Sequence, residues 1–154
     1  MGRRTGLKSY RMNVFRTMPR TGLPEHFDSW SEYQRHVGVL VEAGLIPDAS
    51  KIWWDIRPSV LYPFLEMRIS DICTRWRDAI AIAAMYRSLL HMLFRLRTSN
   101  QRWRTYAHML VSENVWRAQR YGSAGDLMDF GKSQLVPFDE LIERICMMAR
   151  ERGR

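Results

Sequence analysis

Lys51-Ile52-Trp53-Trp54-Asp55-Ile56-Arg57-Pro58-Ser59, followed by Leu65-Glu66-Met67-Arg68-Ile69-Ser70-Asp71, is the stretch whose reading decides the fold. Ile52, Trp54 and Ile56 alternate with Trp53, Asp55 and Arg57. Beyond a loop over 58–63, Leu65, Met67 and Ile69 alternate with Glu66, Arg68 and Ser70. A period of two marks half-buried strands, because successive side chains leave opposite sides of an extended backbone. The short connection favours an antiparallel hairpin. In that pairing Asp55, Arg57, Glu66 and Arg68 share one polar face.

Working outward, the flanking segments read mostly as helix. Ser29 with Glu32 fits a capping box, and Trp30, Tyr33, Val37, Leu40 and Val41 fall on one helical face. Gly44 suits the C-terminal cap and Pro47 prevents continuation. After the hairpin, Asp71 or Thr74 can cap a long helix to about Arg97, striped by Ile82, Met85, Leu89, Leu93 and Leu96. Its first half, 79–85, is apolar all round and is expected to be deeply buried. A second helix is expected over 101–121, with Trp103, Tyr106, Ala107 and Leu110 inward and Gly122 and Gly125 at its end. A small strand pair over 127–136 and a last helix over 139–150 follow. At the N-terminal side, alternation of Tyr10, Met12 and Val14 predicts a short strand over 9–15, then a loop over 17–27 punctuated by Pro19, Gly22 and Pro24. Helices segregated from a few short antiparallel strands make the fold class α+β.

Composition sets the outer limits. The 154 residues favour one domain, and 46% hydrophobic with 26% charged residues excludes long disorder as the main reading. Cys73 and Cys146 lie far apart and outside metal-type spacing, so both read as reduced thiols of a cytoplasmic protein. The longest apolar run, 79–86, is too short to span a bilayer, and no membrane association is expected. The net charge is +8, nearly all from arginine, with lysine only at 8, 51 and 132. Such a balance suits anionic partners, but the basic residues are scattered, which argues against a nucleic-acid arm.

The polar face of the hairpin carries the chemistry. A carboxylate at 66 can hold a divalent cation through hard oxygen ligation. Arg68, two residues on, can grip phosphate oxygens in a bidentate fork, and Arg57 across the ribbon adds a second fork. That set suits phosphoryl transfer, where catalysis is mostly positioning and charge neutralisation. The same spacing equally suits a plain cross-strand salt bridge on a solvated face. Glu113, Arg117 and Arg120 lie on one side of the second long helix, either as an i,i+4 pair or as arginines facing an anion. His26, His36, His91 and His108 show no ligand spacing. Asp129-Phe130-Gly131 lacks every companion motif of a kinase.

The runs over 51–59 and 65–71 resemble the second half of the bacterial carboxylate–amine ligases, the family-2 glutamate–cysteine ligases. These are similar in fold to glutamine synthetases. The string over 15–24, Asp78-Ala-Ile-Ala-Ile-Ala-Ala84 and Asn114-Val-Trp-Arg-Ala-Gln-Arg-Tyr-Gly122 extend the resemblance over nearly all of the chain. It implies that 1–154 is one domain, the C-terminal half of a glutamine-synthetase-like catalytic domain with short antiparallel strands packed against long helices. It also implies an ATP-dependent ligase that joins the γ-carboxylate of glutamate to the amine of cysteine through an acyl phosphate, with Mg2+ or Mn2+. By the same resemblance Glu66 is a metal ligand, Arg68 and Arg57 are catalytic anion clamps, and Arg11, Arg117 and Arg120 contact substrate or nucleotide. Family members are longer and carry a Gly-x-Glu-x-Glu strand in their N-terminal half. A truncated or split gene product is therefore expected, with a separately encoded N-terminal half and further copies of itself as partners. The alternative is a non-catalytic remnant or interaction module that needs a partner chain to complete its fold.

Overall fold

The computed structural model describes residues 2–152 and divides into two compact units: Tyr10–Asp71, and Met1–Ser9 together with Ile72–Arg154. Helices and short strands in small sheets make the fold α+β, as expected.

In the unit Tyr10–Asp71, α1 (Tyr10–Phe15) is a single short helix where a strand was expected. The helical turn places Arg11 over the Phe15 ring, four residues on, with the guanidinium carbon 6.0 Å from its centroid. Three alternating apolar residues are too few to impose a strand, and of this helix only Met12 is buried. The loop that follows contains β1 (Thr21–Gly22), which pairs in parallel with β2 (Trp53–Trp54). That pairing departs from the all-antiparallel expectation.

Helix α2 (Trp30–Glu42) is built as its sequence dictates. The Ser29 hydroxyl accepts from the Glu32 amide at 3.1 Å, and the Glu32 carboxylate accepts from the Asp28 amide at 2.8 Å. At the other end Gly44 has φ +71°, the amide of Gly44 bonds to Val41 and that of Leu45 to Leu40. This is a Schellman closure, which needs a left-handed residue. Tyr33 on the inner face meets Phe27 and Trp54, with ring centroids 5.6 and 6.3 Å away. Ile52 is sealed beneath them, contributing about 1.5–3 kcal/mol of hydrophobic stabilisation.

The expected hairpin is present: β3 (Ile56–Pro58) runs antiparallel to β4 (Leu65–Met67), with Arg57 opposite Glu66 and Ile56 opposite Met67. Its two faces are inverted relative to the usual pattern. Asp55 and Arg57 are buried and Glu66 and Arg68 half-buried, whereas Ile56 and Leu65 on the other face are exposed. The charged face is the inner one.

In the second unit, α3 (Trp76–Thr98) packs its C-terminal half against α5 (Phe138–Arg152), burying Met92, Leu96 and Ala149. Neither Asp71 nor Thr74 caps α3; Arg75 occupies that position without a side-chain bond, and Asp71 is engaged by Arg11. The segment 79–85 is not deeply buried: Ala79, Ile80, Ala81, Ala83 and Ala84 are exposed. By length and composition α3 is also long enough and apolar enough to cross a membrane, which revises the expectation drawn from the shorter apolar run. Helix α4 spans only His108–Tyr121, and Gln101–Ala107 is irregular. Tyr106 is drawn out of helical register to pack on Phe130, ring centroids 4.7 Å apart. β5 (Leu127–Asp129) and β6 (Gln134–Val136) form the expected small antiparallel pair.

Candidate functional site

The hairpin brings Arg57, Glu66 and Arg68 together around one oxygen. Glu66 Oε2 accepts from Arg57 Nε at 3.0 Å and Arg68 Nη1 at 3.1 Å, and Arg57 Nη2 stands 3.0 Å away. Local structure explains why Arg57 points there. Asp48 caps a short 3-10 turn, Ala49–Lys51, by accepting from the Ser50 amide. The Ala49 carbonyl accepts from the Ile52 amide at 3.1 Å within the turn, and Arg57 Nη1 donates to the carbonyls of Ala49, Ser50 and Ile52 at 3.2, 2.5 and 2.7 Å. The Arg57 guanidinium thus closes a turn with one nitrogen and grips Glu66 with the other two.

Arg68 is differently placed. Its side chain remains 35% exposed and only Nη1 meets Glu66, while Nε is buried without a hydrogen-bond partner. A buried unpaired donor is costly. Asp55 lies on the same face, its backbone carbonyl accepting from the Arg68 amide at 2.7 Å. A groove of about 460 Å³ opens next to the ribbon, lined by Trp30, Tyr33, Ala49, Pro58 and Ser59 among others.

The electrostatics separate the two carboxylates. Burial pushes Glu66 up, but hydrogen bonds and charge from Arg57, with Arg68 and Ser59, outweigh it and hold the group below the ordinary glutamate range. Asp55 is shifted the other way: burial raises it, and the attraction of Arg16 and Arg11 only partly compensates. Arg16 Nη2 stands 3.7 Å from Asp55 Oδ2, an oxygen with no hydrogen-bond donor. Sequence reading placed Asp55 on the polar face without marking it as buried; its position in the inverted strand is what buries it.

The other candidate residues spend much of their donor capacity on the backbone. Arg11 bonds to Asp71 at 2.5 Å and to the carbonyls of Arg68, Ile69 and Ser70 at 3.4, 2.7 and 3.1 Å, fastening the segment that leaves β4. Arg117 and Arg120 belong to the second unit. Arg117 donates to the Asp126 carbonyl at 2.7 Å and lies 3.9 Å from Glu113, the expected i,i+4 pair. Arg120 donates to the Gly6 carbonyl. Two features of this unit escaped sequence reading. Asn114 uses its amide to mimic a strand, accepting from the Met128 amide at 2.7 Å and donating to its carbonyl at 2.9 Å. Asp129 closes the β5–β6 turn by accepting from the Gly131 amide and pairs with Arg144. The Asp-Phe-Gly tripeptide is thus a turn.

Over residues 1–154 the sequence matches the family model described as glutamate-cysteine ligase family 2. The chain belongs to this family. A Rhodospirillum rubrum protein provisionally named glutamate–cysteine ligase 2 is 62% identical over 94% of this chain and 37% of its own length. A protein of the same provisional name from Jannaschia is 50% identical over 97% of this chain and 40% of its own. One from Solibacter usitatus is 46% identical over 94% and 38%. The chain therefore spans about two fifths of the length of these relatives, as a C-terminal portion of the ligase sequence. Among the described residues there is no group of three or more His, Cys, Asp or Glu side chains able to hold a metal. Glu66, already bound by two guanidiniums, offers one hard oxygen donor where magnesium demands near-octahedral coordination.

Proposed function

We propose that this chain is the C-terminal part of the catalytic domain of an ATP-dependent carboxylate–amine ligase, and that both of its units belong to that domain. The reaction class is formation of a γ-glutamyl amide. The glutamate γ-carboxylate attacks the terminal phosphorus of ATP, ADP departs, and the cysteine amine then displaces phosphate from the acyl carbon. The observation that carries the reading is the convergence of Arg57, Glu66 and Arg68 on one face of the ribbon. In this reading the exposed part of the Arg68 guanidinium meets an anionic oxygen, and Glu66 holds that guanidinium in place. Arg57 keeps Glu66 ionised and oriented. Arg11 fixes the strand end that carries Arg68, while Arg117 and Arg120 are secondary candidates for substrate or nucleotide contact. Glu66 would supply one ligand for Mg2+ or Mn2+, and among the described residues no group of three or more His, Cys, Asp or Glu side chains completes the set.

The exposed apolar residues of α3, Ile80 and Phe94 among them, and those of the ribbon loop, Leu61 and Phe64, support a partner that covers them. That partner is the part of the ligase that the relatives carry beyond the matched two fifths, separately encoded or joined, in a homo-oligomeric cytoplasmic enzyme. The second reading, an interaction module without turnover, is favoured by Arg57, whose three guanidinium nitrogens already have protein partners. ADP release in the presence of glutamate, cysteine and magnesium separates the two. Turnover is expected when the remaining three fifths of the Rhodospirillum relative is supplied, with loss when any one substrate is omitted. No turnover in any combination would leave the interaction module standing.

A further inference from the structure

The groove of about 460 Å³ beside the ribbon lies wholly within the unit Tyr10–Asp71. One wall is a face of α2, where Trp30, Val37, Gly38 and Val41 stand at helical spacing. The other is Pro58, Ser59 and Val60, where β3 runs into the ribbon loop. This second wall joins the groove to the Arg57–Glu66 cluster. Pro58 follows Arg57 in β3, and the Ser59 hydroxyl donates to the Glu66 carboxylate. The Ala49 carbonyl, also on the lining, accepts from Arg57 Nη1 at 3.2 Å. Among the described residues that line the groove Asp48 alone is charged, and its carboxylate caps the Ser50 amide. A group seated against these walls is therefore apolar and uncharged. Gly38 gives the groove its depth. It sits inside α2, where glycine is less favourable than any residue but proline. Its φ is outside the left-handed region, so the backbone does not require glycine there. A Cβ at 38 would meet no atom within 4 Å, so no neighbour excludes a side chain either. What glycine provides at this position is open space in the wall of the groove.

We propose that this groove is the subsite for the side chain of the amine acceptor, and that amines with a branched aliphatic or aromatic group are coupled in preference to cysteine. The inference rests on the ligase reading and narrows its second substrate. The chemistry at the acyl carbon is the same. The amine nitrogen forms the C–N bond, phosphate leaves with the electrons of the C–O bond, and the amine proton passes to water. What changes is burial: each methylene placed against Trp30, Val37 and Val41 is worth about tenfold or more in kcat/KM. ADP release by the chain reconstituted with the rest of the Rhodospirillum relative tests this, with glutamate, magnesium and cysteine, leucine or phenylalanine in turn. kcat/KM for leucine and phenylalanine exceeds that for cysteine at least tenfold. G38L fills the groove and moves the phenylalanine-to-cysteine ratio at least tenfold toward cysteine, through KM. Its melting temperature does not fall, because leucine is the better helix former. Equal kcat/KM for the three amines in wild type would overturn the assignment, as would an unchanged ratio in G38L. Both results leave the ligase reading intact, because cysteine still turns over. Reconstitution lost in folded G38L overturns the assignment too, by giving the groove to the remaining three fifths of the ligase. If no amine turns over, the ligase reading falls, and calorimetry of the chain with phenethylamine decides the groove. Binding that G38L weakens at least tenfold retains it as an amine site, and absence of binding overturns it.

Discussion

Two ribbons of the same size, β3–β4 and β5–β6, each carry an arginine-bound carboxylate, and the two carboxylates differ in how many guanidiniums they gather. Asp129 on β5 accepts two backbone amides and Arg144. Its hydrogen bond to Arg144 does most to hold it below the usual aspartate range, against a smaller push from burial. These bonds tie the turn to α5. Glu66 on β4 gathers Arg57 and Arg68 on one oxygen, and Arg68, like Arg144, keeps one buried nitrogen without a hydrogen bond. Charge, spacing and strand context do not distinguish these carboxylates. The number of guanidiniums on one oxygen does, two at Glu66 and one at Asp129, and in the proposed function the β3–β4 ribbon is the place for chemistry.

The largest effect follows from removing the Glu66 charge. In enzyme reconstituted with the rest of the ligase, E66Q is expected to lower the rate of ADP release by about 100-fold or more, roughly 2.7 kcal/mol of transition-state stabilisation. D129A addresses the other ribbon. It strips partners from Arg144 and the turn amides, and urea unfolding is expected to show a loss of about 2–3 kcal/mol, with D129N recovering part of it. R68K keeps the charge but loses the fork. About a tenfold fall in turnover is expected, with stability changed by less than ~0.5 kcal/mol. Equal losses of stability in E66Q and D129A, with activity following stability in both, would erase the distinction between the ribbons.

The smallest effect is in pH dependence. Glu66 and Asp129 are both held below their ordinary values. Their stabilisation is therefore complete above the unfolded carboxylate range and is lost as pH falls through their folded values, below about pH 4. Asp55 is held above its ordinary value by burial, so its ionised form weakens the fold at neutral pH and protonation relieves it. D55N is thus expected to raise stability near pH 7 and to steepen the acid limb, while D129N flattens that limb. Unfolding curves from pH 3 to 7 read both slopes.

How much of this was legible in the residues depends on whether the determining contacts are local. The capping box of Ser29 and Glu32, the left-handed Gly44 and the register that opposes Arg57 to Glu66 follow from neighbours along the chain, and all are present. What period-two alternation does not contain is which face turns inward. Arg57 is drawn in by the carbonyls of the turn at 49–51, and its neighbours follow. The composition of the apolar segment 79–85 predicts burial, yet Ala79, Ile80, Ala81, Ala83 and Ala84 are exposed. Tyr106 left the expected helix for Phe130, and Arg11 in a one-turn helix reached Asp71, both through partners remote in sequence. Around the candidate site, the grouping of Arg57, Glu66 and Arg68 was readable from spacing. The burial of Asp55 and the apolar groove beside the ribbon were not, because both arise from packing.

The most direct measurement compares ADP release by the reconstituted enzyme carrying wild-type chain, E66Q or D129N, each normalised to its folded fraction. The account predicts that D129N turns over at close to the wild-type rate while E66Q is slower by about 100-fold or more. Wild-type turnover by E66Q would contradict it.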